Sequence, residues 1–157
     1  MKRPSPLIAL LLWMTAAYAA SFIGVQGSLR GIAGLYMTLH KPTWTAPAWL
    51  FAPVWTVLYG LIGYSAWRVW RAEAPSRGAL TLWWLQLALN ALWPWLFFAS
   101  GRLGVACAEC GLLWFSILAT ILALSRIDRR AAWVLLPYLL WVGYATLLNF
   151  SIWRLNS

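Results

Sequence analysis

Five long stretches of this chain are almost free of charge, and they limit its possible folds more than any motif does. Pro4 to Leu29, Pro42 to Trp67, Gly78 to Gly101 and Ala131 to Trp153 contain no Asp, Glu, Lys or Arg, and Leu103 to Ser125 contains only Glu109. A helix needs about 20 predominantly apolar residues to cross a bilayer core, so each stretch is long enough. They predict an all-α integral membrane bundle of five transmembrane helices at about 7–25, 47–70, 79–100, 103–125 and 131–153. With their short polar links these helices occupy nearly all of residues 1–157, which predicts a single domain. Composition agrees: 63% of residues are hydrophobic and 10% charged, and the mean hydropathy of +0.72 lies outside the range of soluble domains.

The formal net charge is +9, but the twelve Lys and Arg are scattered among the junctions and form no stripe, which argues against a nucleic-acid partner. They fit membrane orientation better. Lys2, Arg3, Arg68, Arg71, Arg77, Arg126, Arg129 and Arg130 fall on one side of a five-span topology, and Arg30, Lys41, Arg102 and Arg154 on the other. The positive-inside rule then places the N-terminus in the cytoplasm and the C-terminus on the opposite side. Lys2 and Arg3, the apolar run from Leu7 and the small residues Ala17 and Ala19 also resemble a cleavable signal peptide; removal of residues 1–19 would leave four spans.

Gln26, Gly27, Ser28, Gly31 and Gly34 are expected to end the first helix and open the longest link, a lid-like loop over residues 26–45. Pro47 suits the first turn of the second helix. Pro53, Pro94 and Pro137 fall within spans, where neighbouring helices can satisfy the carbonyls they free, and kinks are expected at Pro94 and Pro137. No internal repeat of the kind found in inverted-repeat transporters is visible.

Trp occurs fourteen times. Trp13, Trp67, Trp70, Trp83, Trp84, Trp133 and Trp153 fall near the expected interfaces and read as an aromatic belt. Trp55, Trp93, Trp95, Trp114 and Trp141 lie deeper, where an indole N–H needs a partner or a polar cavity. On the third helix Gln86, Asn90, Trp93 and Phe97 share one face by their spacing of four, three and four. Lipid penalises amides, so that face should look into the bundle, as interhelical hydrogen bonding or as the wall of a pocket. Pro137, Trp141, Tyr144, Ala145 and Leu148 share a face of the fifth helix with Asn149 at its border, and Trp55 and Tyr59 lie one turn apart on the second. An apolar pocket with a few placed polar groups suits a small molecule, and flat aromatic walls suit a flat one.

Cys107 and Cys110 form a CxxC motif around Glu109. With His40 the only histidine, two thiols make an incomplete zinc set, so no metal site is expected. The motif fits thiol–disulfide chemistry or simple packing. Glu109 is a functional candidate as the one acid inside a span, although its depth also allows snorkelling. There is no GxSxG, HExxH, Walker loop or carboxylate pair to carry hydrolysis or phosphoryl transfer.

Several spaced segments resemble the tryptophan-rich sensory proteins, also called translocator proteins or peripheral-type benzodiazepine receptors. They are Tyr36, Leu39, Lys41, Pro42, Trp44 and Pro47; FAPVWTVLYG from Phe51 to Gly60; QLALNALW from Gln86 to Trp93; and PYLLWVGYATLLN from Pro137 to Asn149. The resemblance runs nearly end to end and agrees with five helices. It implies a pocket between the helices, capped by the first link, that binds porphyrins, haem and, in some members, sterols and benzodiazepine-type drugs. Carried over by motif, the lining includes Trp55, Asn90, Trp93, Trp141, Tyr144 and Ala145, with Tyr36, Pro42 and Trp44 in the lid; Tyr59, Gln86, Phe97 and Asn149 complete the expected set. Arg30 and Lys41 are expected to meet the propionates of a tetrapyrrole, which is a ligand here and not a required cofactor.

Two departures bear on the reaction the resemblance implies. Members usually carry Trp just before the Tyr of the first link, and those that degrade porphyrin in light use it with the residue matching Trp141; here Leu35 precedes Tyr36. The cholesterol motif of animal members needs a Tyr where this chain has Phe150. The expectation is therefore a receptor or carrier for porphyrin-type ligands. A porphyrin-oxidising enzyme working through Trp141 is the alternative, and a membrane thiol oxidoreductase stands behind it. A homodimer is also expected, through Gly104 with Ala108 and Cys107 with Gly111 on the fourth helix, or through Ala88 and Ala91 on the third.

Overall fold

The computed structural model describes residues 4–72 and 76–157; Lys2 and Arg3, used above for orientation and for the leader pattern, lie outside them. Among the described residues, five helical spans are long and apolar enough to cross a membrane: Pro6–Gly31, Ala48–Arg71, Arg77–Ala99, Leu103–Ser125 and Arg129–Leu155. The first is helix α1, and α2 is a single turn, Leu35–Thr38, in the link that follows. The second span is α3 (Ala48–Arg71), and the third is α4 (Arg77–Pro94) extended by a π-helical turn, Trp95–Ala99. The fourth span is α5 (Leu103–Ser125), and the fifth combines the short α6 (Arg129–Trp133) with α7 (Leu136–Leu155). The chain is an all-α, multi-pass integral membrane protein.

Around the bundle, α1 packs between α3 and α4, α4 packs on α5, and α5 packs on α7. The side between α3 and α7 is filled by aromatic rings instead of close backbone contact: Trp55 meets Tyr138, and Phe51 meets Trp141. Larger rings hold helices further apart, so this is where a cleft lies.

The glycines expected to end the first helix have a different role. Helix α1 runs through Gly27 to Gly31, and Gly24, Gly27 and Gly31 lie buried along it. A methyl group at Gly31 would stand 1.9 Å from the carbonyl oxygen of Phe98, and one at Gly27 would stand 2.8 Å from the backbone nitrogen of Trp95. Their missing side chains let α1 lie against the end of α4 at backbone distance, as small residues do between membrane helices. The lid is accordingly shorter than expected, covering residues 32–47.

Pro94 lacks the N–H that would bond to the carbonyl of Asn90, and the ladder continues in π register, with the Ser100 N–H donating to Trp95 O at 3.0 Å. Gly101, at φ +64°, turns the chain into α5. The kink expected at Pro137 is absent because the span breaks earlier, at Val134 and Leu135, and Pro137 sits in the first turn of α7, where its missing N–H costs nothing. Trp83 is also misassigned by sequence position. It is fully buried, donates to Ile62 O at 3.0 Å and meets Trp13 edge-on, so it belongs to the core and not to the belt.

Candidate functional site: an aromatic cleft under a latched lid

Trp55 of α3, Asn90 and Trp93 of α4, Cys110 and Leu113 of α5, and Val142 and Ala145 of α7 surround a central cavity of about 10 Å³. That volume is at the threshold for one water molecule. The four helices thus meet at a point that is walled but closed.

Two hydrogen-bond networks fix its polar groups. The Tyr59 hydroxyl donates to Asn90 Oδ1, and Asn90 Nδ2 donates to the Tyr138 hydroxyl at 2.7 Å, joining α3, α4 and α7. Toward the lid, Trp93 Nε1 donates to Asn149 Oδ1 at 3.0 Å, and Asn149 Nδ2 donates to the carbonyl of Leu103 at 3.0 Å. Each amide bonds through both ends, which is how a buried Asn is tolerated in an apolar bundle. Trp141 differs: its indole N–H is buried and has no partner among the described residues. Its ring lies 5.6 Å from Phe51 and 5.4 Å from Tyr144. An unpaired buried donor beside aromatic rings is a free handle for a guest.

The lid is fastened at several points. The backbone N–H of Ala46 donates to the Tyr144 hydroxyl at 2.8 Å, and the Trp44 ring meets Tyr144 edge-on at 5.8 Å. At the far end of α7, Asn156 accepts from the His40 backbone N–H and donates to the His40 carbonyl, both at 2.9 Å. Tyr36 lies on Phe97 and Phe98, in a cluster with Leu103, Ala106, Leu148 and Ile152. Burial, then the nearby Tyr144, holds the Tyr36 phenol above its ordinary range, so it stays neutral.

The residues expected from the sequence therefore fall into groups. Trp55, Asn90, Trp93 and Ala145 line the cavity itself. Tyr59 and Asn149 hold that wall by hydrogen bonds, whereas Trp141 and Tyr144 are not part of the lining and form an aromatic group with Phe51 and Trp44. Tyr36, Pro42 and Phe97 belong to the lid and the layer beneath it: the Pro42 carbonyl accepts from the Thr45 N–H and hydroxyl. Gln86 is not brought to the cleft; it is buried and donates to Trp83 O of its own helix. Arg30 stacks on Trp95, outside the cleft. Lys41 is committed to the lid backbone, donating to the carbonyls of Tyr36 and Leu39 at 2.8 and 2.9 Å.

Sequence reasoning overlooked Phe51, Cys110, Leu113, Tyr138 and Val142. Tyr138 was detectable, since it precedes Ala145 and Asn149 by seven and eleven residues on the same helical face. Cys110 is buried in the cavity wall within 3.2 Å of the Thr146 hydroxyl, and both it and Cys107 are free thiols. Glu109 is buried, with neither carboxyl oxygen partnered among the described residues, so it does not snorkel. Of the small residues expected at a dimer contact, Gly104 lies under Trp153 of its own chain, whereas Gly111 faces open space.

A five-span membrane protein whose spans converge on an aromatic cleft closed by a fastened loop is the class that fold and site define. Residues 8–154 match the model of the TspO/MBR family. The chain is 36% identical over 152 residues to protein CrtK of Rhodobacter capsulatus, covering 95% of each, and 35% identical over 154 residues to the tryptophan-rich protein TspO of Chlorobaculum tepidum, covering 96% of this chain and 97% of that one. The human translocator protein is 37% identical over 125 residues, covering 77% of this chain and 74% of its own. The chain belongs to the TspO/MBR family.

Proposed function

We propose that this protein is a membrane receptor or carrier that takes a porphyrin-type tetrapyrrole into the cleft between α3, α4, α5 and α7, in a sensory or regulatory role. The observation that carries the reading is Trp141, whose indole N–H is buried and unpartnered among the described residues and whose ring packs with Phe51 and Tyr144 beneath the lid. The names of relatives, translocator protein and tryptophan-rich sensory protein, support a receptor or sensory role. Pockets for drug-sized ligands are on the order of 300–1,000 Å³, so binding requires the cleft to open by lifting the lid and parting α3 from α7. That side has the fewest close backbone contacts to break.

The propionate contacts expected of Arg30 and Lys41 form only if the ligand displaces the Trp95 stack and the lid carbonyls that now hold them. We orient the protein with its N-terminus in the cytoplasm, on the distribution of Lys and Arg.

Titration of the purified protein with protoporphyrin in the dark, read by Trp fluorescence, tests the proposal. Saturable one-site quenching, with affinity weakened in Trp141→Phe, is expected. Quenching no greater than that produced by partition into empty micelles overturns it. New absorbance bands on illumination that vanish in Trp141→Phe would instead favour the porphyrin-oxidising enzyme.

A further inference from the structure

A second concavity, an open cleft of about 720 Å³, lies where α3 and α5 end, remote from the lid. Arg68, Arg71, Arg126 and Arg129 line it, with Asp128 the one acid in the lining among the described residues. Asp128 is fully engaged. Its Oδ2 accepts from Nε and Nη2 of Arg68, both at 2.7 Å, and its Oδ1 accepts from the Arg130 backbone N–H at 2.9 Å. Arg71 is held over the Trp67 ring at 4.7 Å, a stack that leaves the edge of the guanidinium free to donate. Even with Glu73 counted, residues 68–77 and 126–130 carry six arginines against two acids.

The positive-inside rule explains why arginines lie on this side of the membrane, but it does not require them to converge on one hollow. Planar guanidiniums around a concave surface are suited to the oxygens of a phosphate. A lipid headgroup and a soluble phosphate share that chemistry, and three features favour the lipid. The cleft sits at the ends of membrane spans, at the level of headgroups. Trp67 carries the Arg71 stack at its edge, as aromatic residues do at a lipid interface. Its walls include Ala72 and Ile127, apolar surface that free phosphate would not use. We propose that this cleft binds the headgroup of an anionic phospholipid, fixing α3 against the α5–α6 corner.

The test is native mass spectrometry of the full chain with phosphatidylglycerol or phosphatidylcholine. Wild type is compared with Arg126→Gln/Arg129→Gln, which keeps the Arg68–Asp128 pair, and with Arg30→Gln/Arg154→Gln at the lid end. Wild type should retain phosphatidylglycerol preferentially, with retention falling on the order of tenfold or more in the first variant and unchanged in the second. Cooperative thermal unfolding is the check that both variants are folded. Equal retention of the two lipids, or retention indifferent to Arg126 and Arg129, overturns the proposal. Displacement of lipid by inorganic phosphate but not by chloride of matched ionic strength also overturns it, because the site would then serve a soluble phosphate. Porphyrin titration of Arg126→Gln/Arg129→Gln should be unchanged, since the central cleft lies elsewhere.

Discussion

Asn156 lies beyond the last turn of α7, far in sequence from the lid it holds. Its side chain accepts from the backbone N–H of His40, donates to the His40 carbonyl, and also donates to Ile152 O at 2.7 Å within its own helix. Asn156→Ala removes both lid bonds and touches nothing in the cleft. These bonds are exposed, so each is worth roughly 0.5 kcal/mol, the low end for a net hydrogen bond. Losing both favours the lifted lid by about 1 kcal/mol, which is about fivefold in the opening equilibrium. Amide hydrogen exchange across residues 39–41 should therefore quicken about fivefold, while exchange in α5 stays unchanged. If the lid gates the cleft, stopped-flow association of protoporphyrin should quicken by up to the same factor. Unchanged exchange in a folded variant would show that Asn156 does not hold the lid. Faster exchange with unchanged association would show that the lid is not the gate.

Two further outcomes follow from local geometry. Gly31→Ala places a methyl group 1.9 Å from the Phe98 carbonyl, where backbone must move, and should cost about 1–3 kcal/mol in thermal or denaturant unfolding. Partial burial raises the Asp128 carboxyl, but the Arg68 hydrogen bond and the backbone N–H groups of Arg130 and Ala131 outweigh it and leave the group below its ordinary range. A carboxyl lowered on folding stabilises fully above its unfolded value of about 3.9 and progressively less as pH falls through the folded one. Unfolding measured across that acidic window should show a loss of stability in wild type that is smaller in Asp128→Asn.

The five spans were legible because lipid demands long apolar runs and tolerates few charges, and the Asn90–Trp93–Phe97 face was legible because amides avoid lipid. The same face misplaced Gln86, whose side chain turns back onto the Trp83 carbonyl, a rotamer choice that spacing does not fix. Gly27 and Gly31 read as helix breakers because propensity scales describe water, whereas in a bundle the missing Cβ is a packing device. Trp83 read as belt because distance from a span end was the available cue; its partners, Trp13 and Ile62 O, come from two other helices. The lid fastenings were illegible for a related reason: His40 and Asn156 lie 116 residues apart, and no periodicity joins them. The closed state of the cleft follows from how rings from α3 and α7 interlock, which composition does not determine.

Ala145 is the smallest side chain in the cavity wall and offers the most direct test of where the ligand goes. Ala145→Phe would fill the space into which a planar guest must insert, with cooperative thermal unfolding confirming that the variant remains folded. If the aromatic cleft is the binding site, protoporphyrin titration should lose its saturable phase in this variant and retain only the partition seen with empty micelles. Wild-type affinity in folded Ala145→Phe would contradict that assignment and place the ligand elsewhere on the protein.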